Sequence, residues 1–112
     1  MSQDVDTSRK GYAIFVEKIA DWDRYLTDYL PTAGETIEAH DGTILVGNPD
    51  PDVIEGKWEH NMNVVVEFPS VADAKNWYND PDYEAVRPIR MEACEYANAI
   101  ITPAFSPEDL PG

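Results

Sequence analysis

Tyr83, Arg87 and Arg90 stand close together in the stretch EFPSVADAKNWYNDPDYEAVRPIR, residues 67–90. Spacings of four and then three put them on one face of a helix. One tyrosine hydroxyl and two guanidiniums there would hold a carboxylate or an enolate through charge-assisted hydrogen bonds. Glu67 is the candidate catalytic residue. It ends an apolar strand on the opposite face from Val66 and Phe68, and burial in a cavity would raise its pKa toward a general-base range. Tyr12 and Tyr78 complete the candidate ligand-binding set with Tyr83, Arg87 and Arg90.

Each of these residues has a plainer alternative. Arg87 and Arg90 pair with Glu84, Glu92 or another surface acid for little energy. Glu67 is an edge or interface carboxylate facing an arginine, and the Tyr12 hydroxyl finds a backbone partner. Trp22, Tyr25, Tyr29, Trp77 and Tyr78 either line an aromatic pocket or simply pack the core. If a ligand exists, it is expected between the helices and the sheet, as a small, partly aromatic molecule with a carboxylate or acidic hydroxyl. Such an anion needs a local positive site, because the chain as a whole repels it.

That repulsion follows from the charge. Asp and Glu number 22 against 8 Lys and Arg, a formal net charge of −14. A surface of this kind excludes nucleic acid and anionic membranes as expected partners. The acids are spread along the chain, which suits a protein adapted to high salt, where ions screen the self-repulsion. No apolar run reaches the length of a membrane span, and MSQDVDTSRK carries no apolar signal core, so a soluble, cytoplasmic protein is expected. Cys94, the single cysteine, forms no internal disulfide and is expected as a buried structural thiol. His40 and His60 have no second ligand at metal spacing, so neither metal, haem nor another cofactor is expected. Serine-triad, Walker and dinucleotide patterns are absent.

The elements that position the candidates follow from periodicity. GYAIFVEKI, from Gly11, alternates as a strand, with Tyr12, Ile14 and Val16 on one face and Ala13 and Phe15 on the other. Asp21 caps a helix carrying Trp22, Tyr25, Leu26 and Tyr29, and Pro31 is expected to kink it before a second segment near Thr32 to His40. Thr43 to Gly47 and Met62 to Phe68 read as strands, with an ambiguous stretch from Val53 to His60 between them. Ser70 and Asp80 offer N-caps, Pro88 predicts a bend at Arg87, and Tyr96 to Thr102 closes the domain. Two split βαβ halves in one domain predict an α+β, ferredoxin-like fold: a four-stranded antiparallel sheet with broken helices on one face. Residues 11–102 form the domain, 1–10 a mobile tail and 103–112 a proline-rich tail. The uncovered, apolar sheet face needs a cover, and a second copy of the chain is the simplest one.

These residues also resemble a known family. GYAIFVEKI, DWDRYLTDYLP, DGTILVG, VIEGKW and above all EFPS followed by WYNDPDYEAVRPIR are similar to the domain-of-unknown-function family 1330, from about Gly11 to Thr102. The resemblance implies the dimeric α+β barrel superfamily, in which two ferredoxin-like protomers pair sheet to sheet. That superfamily holds cofactor-free monooxygenases, lactone isomerases, haem-binding peroxidases and plain ligand-binding modules, so the fold carries over and the activity does not. A small-molecule-binding homodimer is therefore the first expectation, a cofactor-free enzyme of monooxygenase or isomerase type the second, and a purely structural dimer the third. Gly47-Asn48-Pro49 departs from the family's usual Arg-Gly-Gly-like turn, so if that arginine helps bind an anion in relatives, this chain lacks it.

Overall fold

The structure is a computed structural model and describes residues 9–111. Most of the tail expected to be mobile, residues 1–10, lies outside the described residues. Alternation along β1 (Gly11–Ile19) sets the layers. Ala13, Phe15, Glu17 and Ile19 are buried, while Tyr12, Ile14, Val16 and Lys18 between them are partly exposed. β1 pairs antiparallel with β3 (Met62–Phe68) and with β4 (Cys94–Pro103), and β3 pairs with β2 (Thr43–Asn48). The resulting order is β2-β3-β1-β4. The expected ferredoxin-like topology is therefore present, with the helices on the face bearing Ala13, Phe15 and Glu17.

The helical layer consists of α1 (Trp22–Arg24), a π-helical turn (Tyr25–Tyr29), α2 (Leu30–Ala39), α3 (Val71–Tyr78) and α4 (Pro81–Ala93). Asp21 starts α1 by accepting from the Arg24 N–H at 3.0 Å. The kink expected at Pro31 is replaced by a widened turn just ahead of it, closed by the Leu30 N–H on the Tyr25 carbonyl. Widening relieves the clash that the proline ring would make with the carbonyl four residues back. Pro88 does not push Arg87 out of the helix as expected either, since α4 runs through both. Buried Tyr83 and Arg90 anchor the turns on either side of the proline, and this packing outweighs one lost backbone bond. Val53 to His60 is neither strand nor hairpin arm but an exposed loop.

Two helix starts are capped as the sequence predicts. Ser70 Oγ accepts from the Asp73 N–H at 3.1 Å and donates to Asp73 Oδ2 at 2.9 Å. Asp80 Oδ1 accepts from the Asp82 N–H at 2.7 Å, and its other oxygen meets His40 Nε2 at 2.7 Å, tying α2 to α4. The His40 bond first, then the backbone N–H of Asp82, hold the Asp80 carboxyl below the ordinary carboxylate range. A pKa lowered on folding gives stabilisation that is complete above the unfolded value and lost as pH falls through the folded one. Asp80→Asn, which keeps a capping oxygen, should thus melt below the wild type near neutral pH and match it in acid. Thermal melts across that range check this. A difference constant with pH would assign the tie to shape instead of charge.

The open face of the sheet carries a stripe. The register aligns Val46, Val65, Ile14 and Ile100 across all four strands. Val46 and Ile100 at its ends are 42% and 58% exposed, more than core side chains of this kind tolerate without a cover. Polar rows flank it, with Thr43, Glu67, Tyr12 and Thr102 on one side and Asn48, Asn63, Val16 and Asn98 on the other. Among the described residues no helix is long and apolar enough to cross a membrane.

Candidate functional site

Glu17 interrupts the apolar inner face of β1 between Phe15 and Ile19 and is wholly buried. A buried carboxylate requires partners, and the helical layer supplies them. Arg90, 1% exposed on α4, donates from Nη1 to Glu17 Oε2 at 3.0 Å. Tyr25 donates its hydroxyl to Glu17 Oε1 at 3.1 Å. The Tyr29 and Tyr83 hydroxyls bond each other at 2.8 Å, and both rings are buried. Tyr25 and Tyr29, at the two ends of the π-helical turn, have ring centroids 5.1 Å apart. Such turns are frequent at functional sites.

The electrostatics of the cluster are self-contained. Burial, and then the Glu17 carboxylate, raise the Tyr25 pKa far above its ordinary value. Burial does the same for Tyr29, followed by its Tyr83 neighbour. Burial also raises Tyr83, against the opposite pull of Arg90. All three hydroxyls therefore keep their protons at neutral pH. For Arg90, burial alone would lower the pKa, but its neighbours, the Glu17 carboxylate at 3.0 Å among them, raise it, so the guanidinium stays charged. Its Nε is buried with no hydrogen-bond partner among the described residues. Orphaned donors of this kind are uncommon in folded proteins. Cys94 sits nearby, half-buried, its thiol pushed up to about 11 by burial and then by Glu17. It is thus a poor nucleophile, in line with a structural thiol.

A cavity of about 30 Å³ adjoins the cluster, with Glu17, Tyr25 and Tyr29 at its polar end and Ile37, Ile44 and Val64 among its apolar walls. One of these walls, Ile44, stands on the edge strand β2, where every residue is exposed. Gly34 of α2 also lines it, and a Cβ added there would meet open space.

The structure divides the predicted site. Tyr83 and Arg90 come together in this interior cluster. Tyr12 and Glu67 lie across the sheet on the open face, joined by a 2.9 Å bond from the Tyr12 hydroxyl to Glu67 Oε2, with Lys10 Nζ 3.5 Å from Oε1. A common site between helices and sheet is therefore ruled out for all six residues, because strand alternation sends Tyr12 and Glu67 away from the helices. Arg87 and Arg90 do not converge either. Arg87 donates to the Tyr78 carbonyl at 3.0 Å, lies 4.4 Å above the Tyr78 ring and stands 3.8 Å from Glu84. The signal for the missed residue, Glu17, was its phase with Ala13 and Phe15. Tyr25 and Tyr29 stood in the aromatic stripe, and their hydroxyls, not their rings alone, are what the cluster uses. Among the described residues, no three His, Cys, Asp or Glu side chains lie where they would share a metal ion.

Solved structures share this architecture. A protein of unknown function from Rhodopseudomonas palustris is 17% identical, with a TM-score of 0.73 over 89% of this chain and 85% of the other. A dabb family protein with a ferredoxin-like fold from Mesorhizobium loti is 18% identical, with a TM-score of 0.58 over 88% of this chain and 99% of that one. A dimeric ferredoxin-like protein of unknown function from Thermobifida fusca is 10% identical, with a TM-score of 0.52 over 93% and 99% of the two chains. At these identities the likeness concerns the fold alone. A search of curated proteins finds no match. The family of domains of unknown function DUF1330 matches residues 10–104, nearly all of the chain including β1, the Tyr25–Tyr29 turn and α4, and the chain belongs to that family.

Proposed function

We propose that the protein is a homodimer, closed through the open sheet face, in which each protomer binds a small organic molecule between α2 and the sheet. The carrying observation is the buried Glu17, paired with Arg90 on one side and lining a cavity on the other. A core that needed only stability would be served as well by apolar residues, since buried ion pairs add little net stability over hydrophobic replacements. The Val46–Val65–Ile14–Ile100 stripe supports the dimer, and the Thermobifida fusca relative in fold is described as dimeric. Light scattering in multimolar potassium chloride should give twice the 12.6 kDa chain mass. Low salt should loosen the dimer, because a net charge of −14 per chain then repels itself unscreened. A monomer in high salt would sink the sheet-to-sheet arrangement, and a dimer indifferent to salt would sink the adaptation to salt.

For the ligand, native mass spectrometry of the purified dimer against a library of small organic molecules should find binders. Ala33→Val, which pushes two methyl groups from α2 into the cavity, should lose them while the protein stays folded. Binding unaffected by Ala33→Val would place the ligand elsewhere. A cofactor-free enzyme is the second reading. It is favoured by a carboxylate and a tyrosine hydroxyl facing one enclosed space, the equipment for moving a proton. Turnover of a bound molecule by the wild type, lost in Glu17→Gln, would select it over a plain binding module. A purely structural dimer is what remains if neither binding nor turnover is found.

A further inference from the structure

The charges around the cavity narrow the class of ligand, an inference that rests on the interior binding proposed above. Among the described residues, one full positive charge reaches the cluster, that of Arg90, and Glu17 already compensates it at 3.0 Å. Arg87, the other candidate cation, is turned to the Tyr78 carbonyl and Glu84. The carboxylate that faces the cavity is Glu17 itself, whereas Arg90 lies behind it. A carboxylate ligand entering here would meet a like charge at low dielectric, with no free cation to offset it. What the polar end offers instead is a carboxylate acceptor and tyrosine hydroxyls that both donate and accept. An uncharged hydroxyl matches both kinds of partner at once.

Size and polarity restrict the rest of the molecule. The inner space, about 30 Å³, takes one or two groups the size of water. Around it stand Ile37 of α2, Ile44 of the exposed strand β2 and Val64 of β3. A ligand would reach in with one small polar group and leave an apolar body against these side chains.

We infer that the ligand is a small, uncharged apolar molecule bearing a hydroxyl, of the phenol or alcohol class, held by its hydroxyl at Glu17 and the Tyr25–Tyr29 turn, and not a carboxylate. Matched probes test this by titration calorimetry on the full-length dimer: 4-methylphenol against 4-methylbenzoate, the same ring and methyl group with the polar head exchanged. The phenol should bind about tenfold tighter or more, one 1.4 kcal/mol step, and Ala33→Val should abolish its binding. Glu17→Gln removes the repelling charge and leaves the Arg90 charge uncompensated, so this variant should reverse the order and favour 4-methylbenzoate. The wild-type ranking needs no variant, so a Glu17→Gln protein that fails to fold leaves the test intact. Tighter binding of 4-methylbenzoate to the wild type would overturn the ligand class and leave the interior pocket standing. Phenol binding that survives Ala33→Val would overturn the placement. Binding of neither probe would overturn the inference and the pocket together.

Discussion

Replacing Arg90 with methionine should cost about 3–5 kcal/mol of folding stability, the usual penalty for leaving half of a buried ion pair behind. Arg90 and Glu17 are each 1% exposed or less, so water cannot take over the solvation of the remaining carboxylate. Methionine fills much of the arginine's volume, which confines the loss to charge and hydrogen bonds. The stranded carboxylate keeps one donor, the Tyr25 hydroxyl, and loses the guanidinium. Glu17→Leu combined with Arg90→Met should recover most of the loss, because the pair together adds little over apolar side chains of similar size. Urea unfolding of the two single variants and the double variant closes the cycle. A single-variant loss under about 1 kcal/mol would be the value for a solvated surface pair and would refute the buried cluster. Recovery in the double variant would also show that the pair is kept for something other than stability, as a binding site requires.

Trp77→Ala should cost a similar amount, about 3–5 kcal/mol, for a different reason. The indole is the hub of the helical layer. Its ring lies 4.2 Å from Tyr83, 5.6 Å from Phe68 and 6.0 Å from Phe15 between centroids, so it joins α3 to α4, β3 and β1. Its Nε1 donates to Thr36 Oγ1 at 3.0 Å, which joins α3 to α2 as well. Alanine leaves a void that three elements would have to close, and rigid sheet packing prevents full collapse. Trp77→Phe keeps most of the ring and loses the bond to Thr36, so it should cost about 1 kcal/mol beyond the smaller ring's packing loss. Equilibrium unfolding followed by circular dichroism measures both. Equal losses for alanine and phenylalanine would mean that the hydrogen bond, and not the packing, dominates.

Much of the architecture was legible because the physics behind it is local. Met62–Phe68 alternates and is rich in β-branched residues, and it is a strand. Ser70 and Asp80 carry short side chains that reach the next turn's N–H groups, and both cap helices. The two prolines misled for the opposite reason. Pro31 and Pro88 each remove one backbone bond, a local cost, but whether the chain bends depends on what holds the flanking turns. Tyr29 before Pro31, and Tyr83 and Arg90 around Pro88, are pinned by contacts with residues far along the chain.

The chain by itself determined the order of strands and helices, the antiparallel ferredoxin-like plan, and Tyr83 and Arg90 as residues worth watching. Each of these follows from spacing along one element. Only the tertiary structure decided which face of β1 meets the helices. Both faces are apolar, so alternation alone cannot assign Tyr12 to the open side or Glu17 to the core. That assignment moved Glu67 and Tyr12 out of the site and brought Glu17, Tyr25 and Tyr29 in. It also turned two neighbouring arginines from an expected anion clamp into one surface contact and one compensated, buried charge. Charge compensation acts between residues separated by 73 positions, and only the fold brings such partners within 3.0 Å.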